Sequence, residues 1–243
     1  APHLDALEAF TTLRIDFLGH GASDAPSDAR RYGTEACIDD VLALLDRLDI
    51  PRFAVAGYSM GGRVAMRLAL RAPERVWALV LESTSPGIAE AAERQARVRQ
   101  DAMLAARIRK EGVRAFVEHW ESIPLFSSQS RLPEKTRQAL RSQRLKNTAE
   151  GLANSLQGLG AGTQAPVLQS LRGLHLPVLL LAGELDARYC MLAEEMAAVL
   201  PCNRLLVVPG AGHAVHLERR PAFDEAVAGF LLAHAPTASE SAS

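Results

Sequence analysis

A serine acts as a nucleophile or a base only when a neighbour can take its proton, and this chain sets one serine where that can happen. Ser59 lies in Gly57-Tyr58-Ser59-Met60-Gly61-Gly62, after the apolar run Phe53-Ala54-Val55-Ala56 and before a helix-like run from Arg63 to Arg71. The G-x-S-x-G form, with a strand before it and a helix after it, is that of a nucleophile elbow. Such a turn is so sharp that the serine backbone is strained and its hydroxyl projects above a sheet. Small residues at 57 and 61 are expected, because a Cβ there would collide where strand and helix nearly touch. The helix also points its first amides at anything bound beside Ser59. The competing reading is a glycine-rich strand-to-helix turn with a purely structural role.

In a strand-turn-helix of this kind the partners follow in the order serine, acid, histidine. Val178-Leu179-Leu180-Leu181-Ala182-Gly183 reads as a buried strand, with Glu184-Leu185-Asp186 at its carboxyl end. Leu205-Leu206-Val207-Val208 reads as another, followed by Pro209-Gly210-Ala211-Gly212-His213. A glycine-flanked histidine has the freedom to swing its imidazole toward Ser59. A carboxylate on the other ring nitrogen then fixes the tautomer and stabilises the imidazolium. Glu184 rivals Asp186 for that place, but Asp186 sits further out on the loop and is preferred. Of the seven histidines, His3, His119, His175 and His234 read as surface or capping residues, and His216 as packing or support. The expected catalytic set is Ser59, Asp186 and His213.

These loops need a framework, and the sequence alternates strands with helices around them. Residues 10–85 read as strand (Leu13 to Phe17), loop, helix, strand, turn, helix and a last strand from Val76 to Leu81. In the first helix Ile38, Val41, Leu42, Leu45 and Leu48 recur at helical spacing, with Thr34 as N-cap and Pro51 beyond the end. Residues 176–235 repeat the alternation, which predicts an α/β fold: a mostly parallel sheet with helices on both faces. Residues 86–165 are helical, arginine-rich and poor in strands, as for a helical cap inserted between two strands. The expected organisation is a core of 1–85 and 166–235, a cap of 86–165 and a disordered tail of 236–243.

With 243 residues and 48% hydrophobic content the chain can bury a full core, and its net charge of −1 gives no reason to expect nucleic acid. It has no apolar run near 18 residues and no signal-peptide pattern, so neither the membrane nor export is indicated. Cys37, Cys190 and Cys202 form no C-x-x-C pair and read as thiols in a reducing, cytoplasmic compartment, not as a disulfide or metal framework. No metal or cofactor is expected, and the oligomeric state stays open.

The cap segment is the basic part of the chain. Residues 86–150 hold 13 Lys+Arg against 8 Asp+Glu, a balance of +5 that leaves about −6 for the remainder. Arg94, Arg97 and Arg99 fall close together, as do Arg137, Arg141 and Arg144. A solvated helix face explains most such arginines. Two clusters in a segment expected to roof a pocket also suit a small polyanionic substrate, because guanidinium groups take carboxylates bidentately.

Several motifs recur together in one family. They are Gly57 to Arg63, Ser83-Thr84-Ser85-Pro86-Gly87, Glu93-Arg94-x-x-Arg97-x-x-x-Asp101, Trp120-x-x-x-Pro124-Leu125-Phe126, Arg144-x-x-Asn147 with Gly151-Leu152-Ala153, Gly183 to Asp186, and Gly212 to Glu218. From about Asp16 to Phe223 the chain resembles the 2-succinyl-6-hydroxy-2,4-cyclohexadiene-1-carboxylate synthases of menaquinone biosynthesis, lyases of the α/β-hydrolase fold. The resemblance implies a 2,5-elimination of pyruvate from a cyclohexene bearing succinyl, enolpyruvyl and carboxylate groups. It implies Ser59, backed by His213 and Asp186, as the base and the Met60 amide as an oxyanion donor. Tyr58, Arg97, Trp120 and Arg144, with Arg94 and Arg63, fall at substrate-contact positions. Arg63 bracing the elbow helix and Trp120 as cap core are the alternatives. A serine esterase or C–C bond hydrolase shares the triad, and a non-catalytic remnant of the fold is the third reading.

The resemblance also carries a departure. Family members place about thirty residues before the Asp16-Phe17-Leu18-Gly19-His20-Gly21 loop, including a strand ending in His-Gly-Phe that supplies a second oxyanion amide. A sheet lacking that strand would leave backbone groups unpaired, each costing about 1–3 kcal/mol if buried. The chain as given is expected to be poorly stable and nearly inactive; turnover matching that of longer relatives overturns this.

Overall fold

A buried strand needs neighbours to pair its N–H and C=O groups, and four apolar runs of this chain pair with one another in a single sheet. The computed structural model describes residues 7–236; His3 and the tail beyond Pro236, for which a surface role and disorder were expected, lie outside the described residues. The runs become β1 (Phe53–Tyr58), β2 (Val76–Glu82), β3 (Val178–Gly183) and β4 (Asn203–Val208), all parallel and ordered β1-β2-β3-β4. Central β3 is buried throughout and β2 nearly so, as near-continuous Val/Leu runs covered on both faces should be.

Alternate residues of these strands feed two cores. Ala78, Val80, Leu179 and Leu181 pack with Val227, Phe230 and Leu231 of the carboxyl-terminal helix Arg220–His234. Leu79, Leu81, Val178 and Leu180 pack with Ala65, Met66 and Ala69 of the helix Met60–Arg71 and with Met196 of the helix Ala187–Ala197. The helix expected around Ile38 spans Thr34–Arg47, and Ile38, Val41 and Leu45 are buried while Leu48 beyond its end is exposed. Burial within it, with the Asp40 charge adding a little, pushes the Cys37 thiol up to about 12.

The chain forms two compact units. The first runs up to Arg14 and resumes at Leu45–Pro86 and from Val167 on; the second is Ile15–Leu44 with Gly87–Pro166. Residues 15–44, expected with the sheet, therefore pack with the helical segment. The strand expected from Leu13 to Phe17 does not form, because no described strand pairs with it and an apolar run without a ladder partner stays irregular. The second unit centres on a long helix, Ala91–Ser122, interrupted at Gly112 (φ 82°, ψ 173°). Its Ala105 and Ile108 pack on Leu152 and Ala153 of the helix Ala149–Gly158. Among the described residues no helix is long and apolar enough to cross a membrane.

At the elbow the glycines divide differently from expectation. A Cβ on Gly57 would lie 2.4 Å from the Gly61 carbonyl oxygen, and one on Gly62 would lie 2.6 Å from Thr84 Cβ. A Cβ on Gly61 meets nothing within 4 Å. The strand approaches the helix through Gly61's backbone, so the crowding falls on position 57, and the helix turns its next residue, 62, against the end of β2. Gly57→Ala and Gly62→Ala should each destabilise by about 1–3 kcal/mol as overpacking. Gly61→Ala should be neutral or stabilising by up to about 1 kcal/mol through helix propensity. Melting curves of the three variants check this.

Candidate active site

Ser59 follows β1 directly and holds φ 49°, ψ −108°, a conformation side chains rarely adopt. Three hydrogen bonds fix it there: its amide donates to Glu82 O (2.9 Å), Thr84 Oγ1 donates to its carbonyl (2.8 Å), and Arg63 N donates to the same carbonyl (3.2 Å). Ser83, directly after β2, is likewise at positive φ (43°) and almost fully buried. Met60 opens the helix after Ser59, so its amide is one of the first-turn donors that lack an intrahelical acceptor.

The other two members of the expected set leave the carboxyl ends of β3 and β4. His213 Nε2 lies 3.1 Å from Ser59 Oγ, and His213 Nδ1 lies 2.7 Å from Asp186 Oδ2. His213 is 1% exposed and Asp186 8%, so water competes little for either bond. Asp186 also caps the helix Ala187–Ala197, accepting from Tyr189 N at 3.4 Å. The rings of Tyr58 and Tyr189 pack on the imidazole at 5.2 and 4.6 Å between centroids. Glu184, the rival acid, instead accepts from Gly210 N (2.8 Å) and ties the two loops together.

Two carboxylates that the sequence reading passed over complete the site. Glu218 brackets His213, taking the amides of Gly212 (2.8 Å) and Ala214 (3.2 Å) on its two oxygens. Glu82, 3% exposed at the end of β2, accepts from His216 Nδ1 at 2.8 and 2.9 Å and from His216 N at 3.0 Å. The available signal was a lone acid closing the otherwise apolar Val76-to-Leu81 run, at the strand end where ligands gather in parallel sheets. Burial works to lower the pKa of His216, but the charge and hydrogen bond of Glu82, with Glu218 adding, outweigh it and hold His216 above the usual histidine range.

Of the expected substrate contacts, Tyr58 and Arg63 belong to the first unit. Arg63 is buried along its helix, and Arg67 Nη1 donates to its carbonyl at 3.1 Å. The others belong to the second unit. Arg94 donates to the carbonyls of Ile88 and Ala89, and Arg97 pairs with buried Asp101 (2.8 Å). Trp120 packs between Phe116 and Phe126, with centroids 5.3 and 5.5 Å away. Arg144 and Arg141 converge on the Glu121 carboxylate, Arg141 reaching Glu118 as well.

A parallel sheet whose elbow serine is answered by an acid and a histidine from later strands defines the α/β hydrolase fold, and the profile of that family matches residues 1–220. A Bacillus subtilis (strain 168) protein provisionally named a 2-succinyl-6-hydroxy-2,4-cyclohexadiene-1-carboxylate synthase is 46% identical over 219 residues, 90% of this chain and 80% of that protein. The synthase of that name from Citrobacter koseri is 35% identical, over 86% of this chain and 79% of its own. The solved structure of MenH from S. aureus superposes with a TM-score of 0.87 at 33% identity, covering 91% of this chain and 83% of that one. The chain belongs to the 2-succinyl-6-hydroxy-2,4-cyclohexadiene-1-carboxylate synthase family, the one its motifs resemble.

Because His216 gains its proton affinity on folding, the pair with Glu82 contributes stability that is fully present below the unfolded pKa of about 6.5. That contribution is lost as pH rises through the folded value. The difference in melting temperature between the natural protein and His216→Gln should therefore hold below about pH 6.5 and shrink above it, as thermal melts across pH check.

Proposed function

We propose that this chain is a carbon–oxygen lyase of menaquinone biosynthesis. It eliminates pyruvate from 2-succinyl-5-enolpyruvyl-6-hydroxy-3-cyclohexene-1-carboxylate and leaves 2-succinyl-6-hydroxy-2,4-cyclohexadiene-1-carboxylate. One observation carries the choice over ester hydrolysis: the 46% identity, across 90% of the chain, to a relative given the synthase name. The triad geometry serves either chemistry.

In this reading the proton beside the succinyl ketone passes to Ser59 Oγ while the serine's own proton moves to His213 Nε2, 3.1 Å away. Asp186 stabilises the imidazolium from the opposite nitrogen. The electron pair left on carbon becomes an enolate, whose oxygen is taken by the Met60 amide. The pair then returns through the ring, a second ring double bond forms, and the C–O bond to the enolpyruvyl group breaks. The departing enolate takes a proton from the imidazolium at carbon and becomes pyruvate. Serine and histidine are restored, with no acyl-enzyme.

Tyr58, Arg63, Arg94, Arg97, Trp120 and Arg144 are proposed as substrate contacts on the family likeness. Arg97 and Arg144 suit the carboxylates best, since a guanidinium carries five donors in a fork and their ion pairs use only part of it. The tether of Arg94 to two carbonyls and the burial of Arg63 beside Arg67 favour bracing roles for those two. A small polyanionic substrate and a cytoplasmic location belong to the same proposal.

Pyruvate release from the cyclohexene substrate, assayed beside cleavage of a nitrophenyl ester, tests it; ester turnover without pyruvate overturns the lyase reading. Ser59→Ala should cost at least about two orders of magnitude in pyruvate release, the usual contribution of a positioned proton transfer. Arg97→Ala and Arg144→Ala should act mainly on KM, each by about 1.5–3 kcal/mol for a lost charge-assisted bond.

A further inference from the structure

Beside the triad stands a second histidine–carboxylate pair that the elimination does not use. Glu82 is the register partner of Tyr58 across β1 and β2, and its carbonyl holds the Ser59 amide. Its side chain grips His216 through both the backbone amide and Nδ1. The His216 ring meets the edge of Tyr58 at 4.9 Å, and the same tyrosine ring rests on His213 at 5.2 Å. Phe223 also packs on His216 at 5.9 Å, and Tyr189 on His213 at 4.6 Å. The two imidazoles thus share one tyrosine as a wall.

We propose that Glu82 and His216 form a positioning pair for the triad, an ion pair that wedges Tyr58 against His213 and cancels the buried carboxylate's charge beside it. The proposal rests on the triad reading given above. A mere brace would need only a hydrogen bond, which an amide could supply. A carboxylate at 3% exposure needs a counter-charge as well, because a buried ion stripped of its partner is strongly destabilising. His216 can supply that charge, since Glu82 raises its proton affinity against the pull of burial. Among the groups facing His216 are Glu82 from β2, Glu218 from its own turn, and Tyr58; among those facing His213 are Ser59, Asp186, Tyr58 and Tyr189.

The role has a definite sign. With His216 charged, the pair is neutral and adds no net charge beside His213. With His216 uncharged, Glu82 adds an uncompensated negative charge, which favours the imidazolium of His213. A smaller share of the protein then carries the neutral imidazole that can take the Ser59 proton. Laid end to end, the two ring contacts put the imidazoles no more than about 10 Å apart. At an effective dielectric of about 20, one charge at that range shifts a titration by about one pH unit.

The test reads Ser59 labelling by a fluorophosphonate, which depends on Ser59 and His213 but needs no lyase substrate. In the natural protein the labelling rate should rise with pH along a single acidic limb. His216→Gln should move that limb up by about one pH unit, and Glu82→Gln/His216→Gln should return it to within a few tenths. A limb unmoved in His216→Gln, or a double variant that stays displaced, overturns the proposal. Should the variants fail to fold, nitrogen NMR of the natural protein decides. At the lowest pH where His213 is neutral, both nitrogens of His216 should carry protons, and a neutral His216 there overturns it. Labelling that behaves as expected while pyruvate release is absent would sink the lyase reading and leave this pair standing.

Discussion

Everything at the site depends on holding one non-glycine residue at positive φ. Ser59 would relax to an ordinary turn if left to itself, since such a backbone costs on the order of 1–3 kcal/mol. Three hydrogen bonds to its amide and carbonyl, and the close approach of Gly57 to Gly61, leave it no room to do so. Two of those bonds come from the end of β2 and the residues just after it, through Glu82 and Thr84, so Ser59 is held by the neighbouring strand as much as by its own. The same Glu82 reaches sideways to His216, while Glu218 fixes the loop that carries His213.

Much of this was legible in the residues. The four apolar runs gave strands within two residues of their observed ends, because β-rich segments bounded by loop residues have few other places to go. The run at Leu13 to Phe17 looked the same and is not a strand, since pairing is a property of neighbours that composition does not carry. The elbow was recognisable by its glycines, yet the crowded ones are 57 and 62, which only the path of the helix reveals. Glu184 and Asp186 stand two apart and are chemically alike. Only coordinates show that one faces an amide and the other an imidazole. Glu82 was invisible as a functional group because a single acid at a strand end has no motif.

The arginines of the second unit teach a different lesson about counting charge. A surplus of five positive charges suggested guanidiniums waiting for an anion. In the folded chain the informative ones already hold partners: Arg97 has Asp101, Arg141 and Arg144 share Glu121, and Arg109 takes Glu150. Such pairs orient a planar fork and offset part of its charge. In the proposed function an incoming carboxylate meets oriented donors in exchange for weaker attraction at long range.

The irregular rung between β1 and β2 falls at Phe53/Ala54, the amino-terminal end of the strand, five residues before Ser59. From Ala54 to Tyr58 the two strands run in step, as do β2 with β3 from Leu79 and β3 with β4 along their whole length. A slip of one residue anywhere in that stretch would displace a loop by about 3.3 Å, more than a hydrogen bond is long. The sheet thus serves as a ruler. Its slack is taken up at the entrance, where nothing is being measured, and the four exits are left flush.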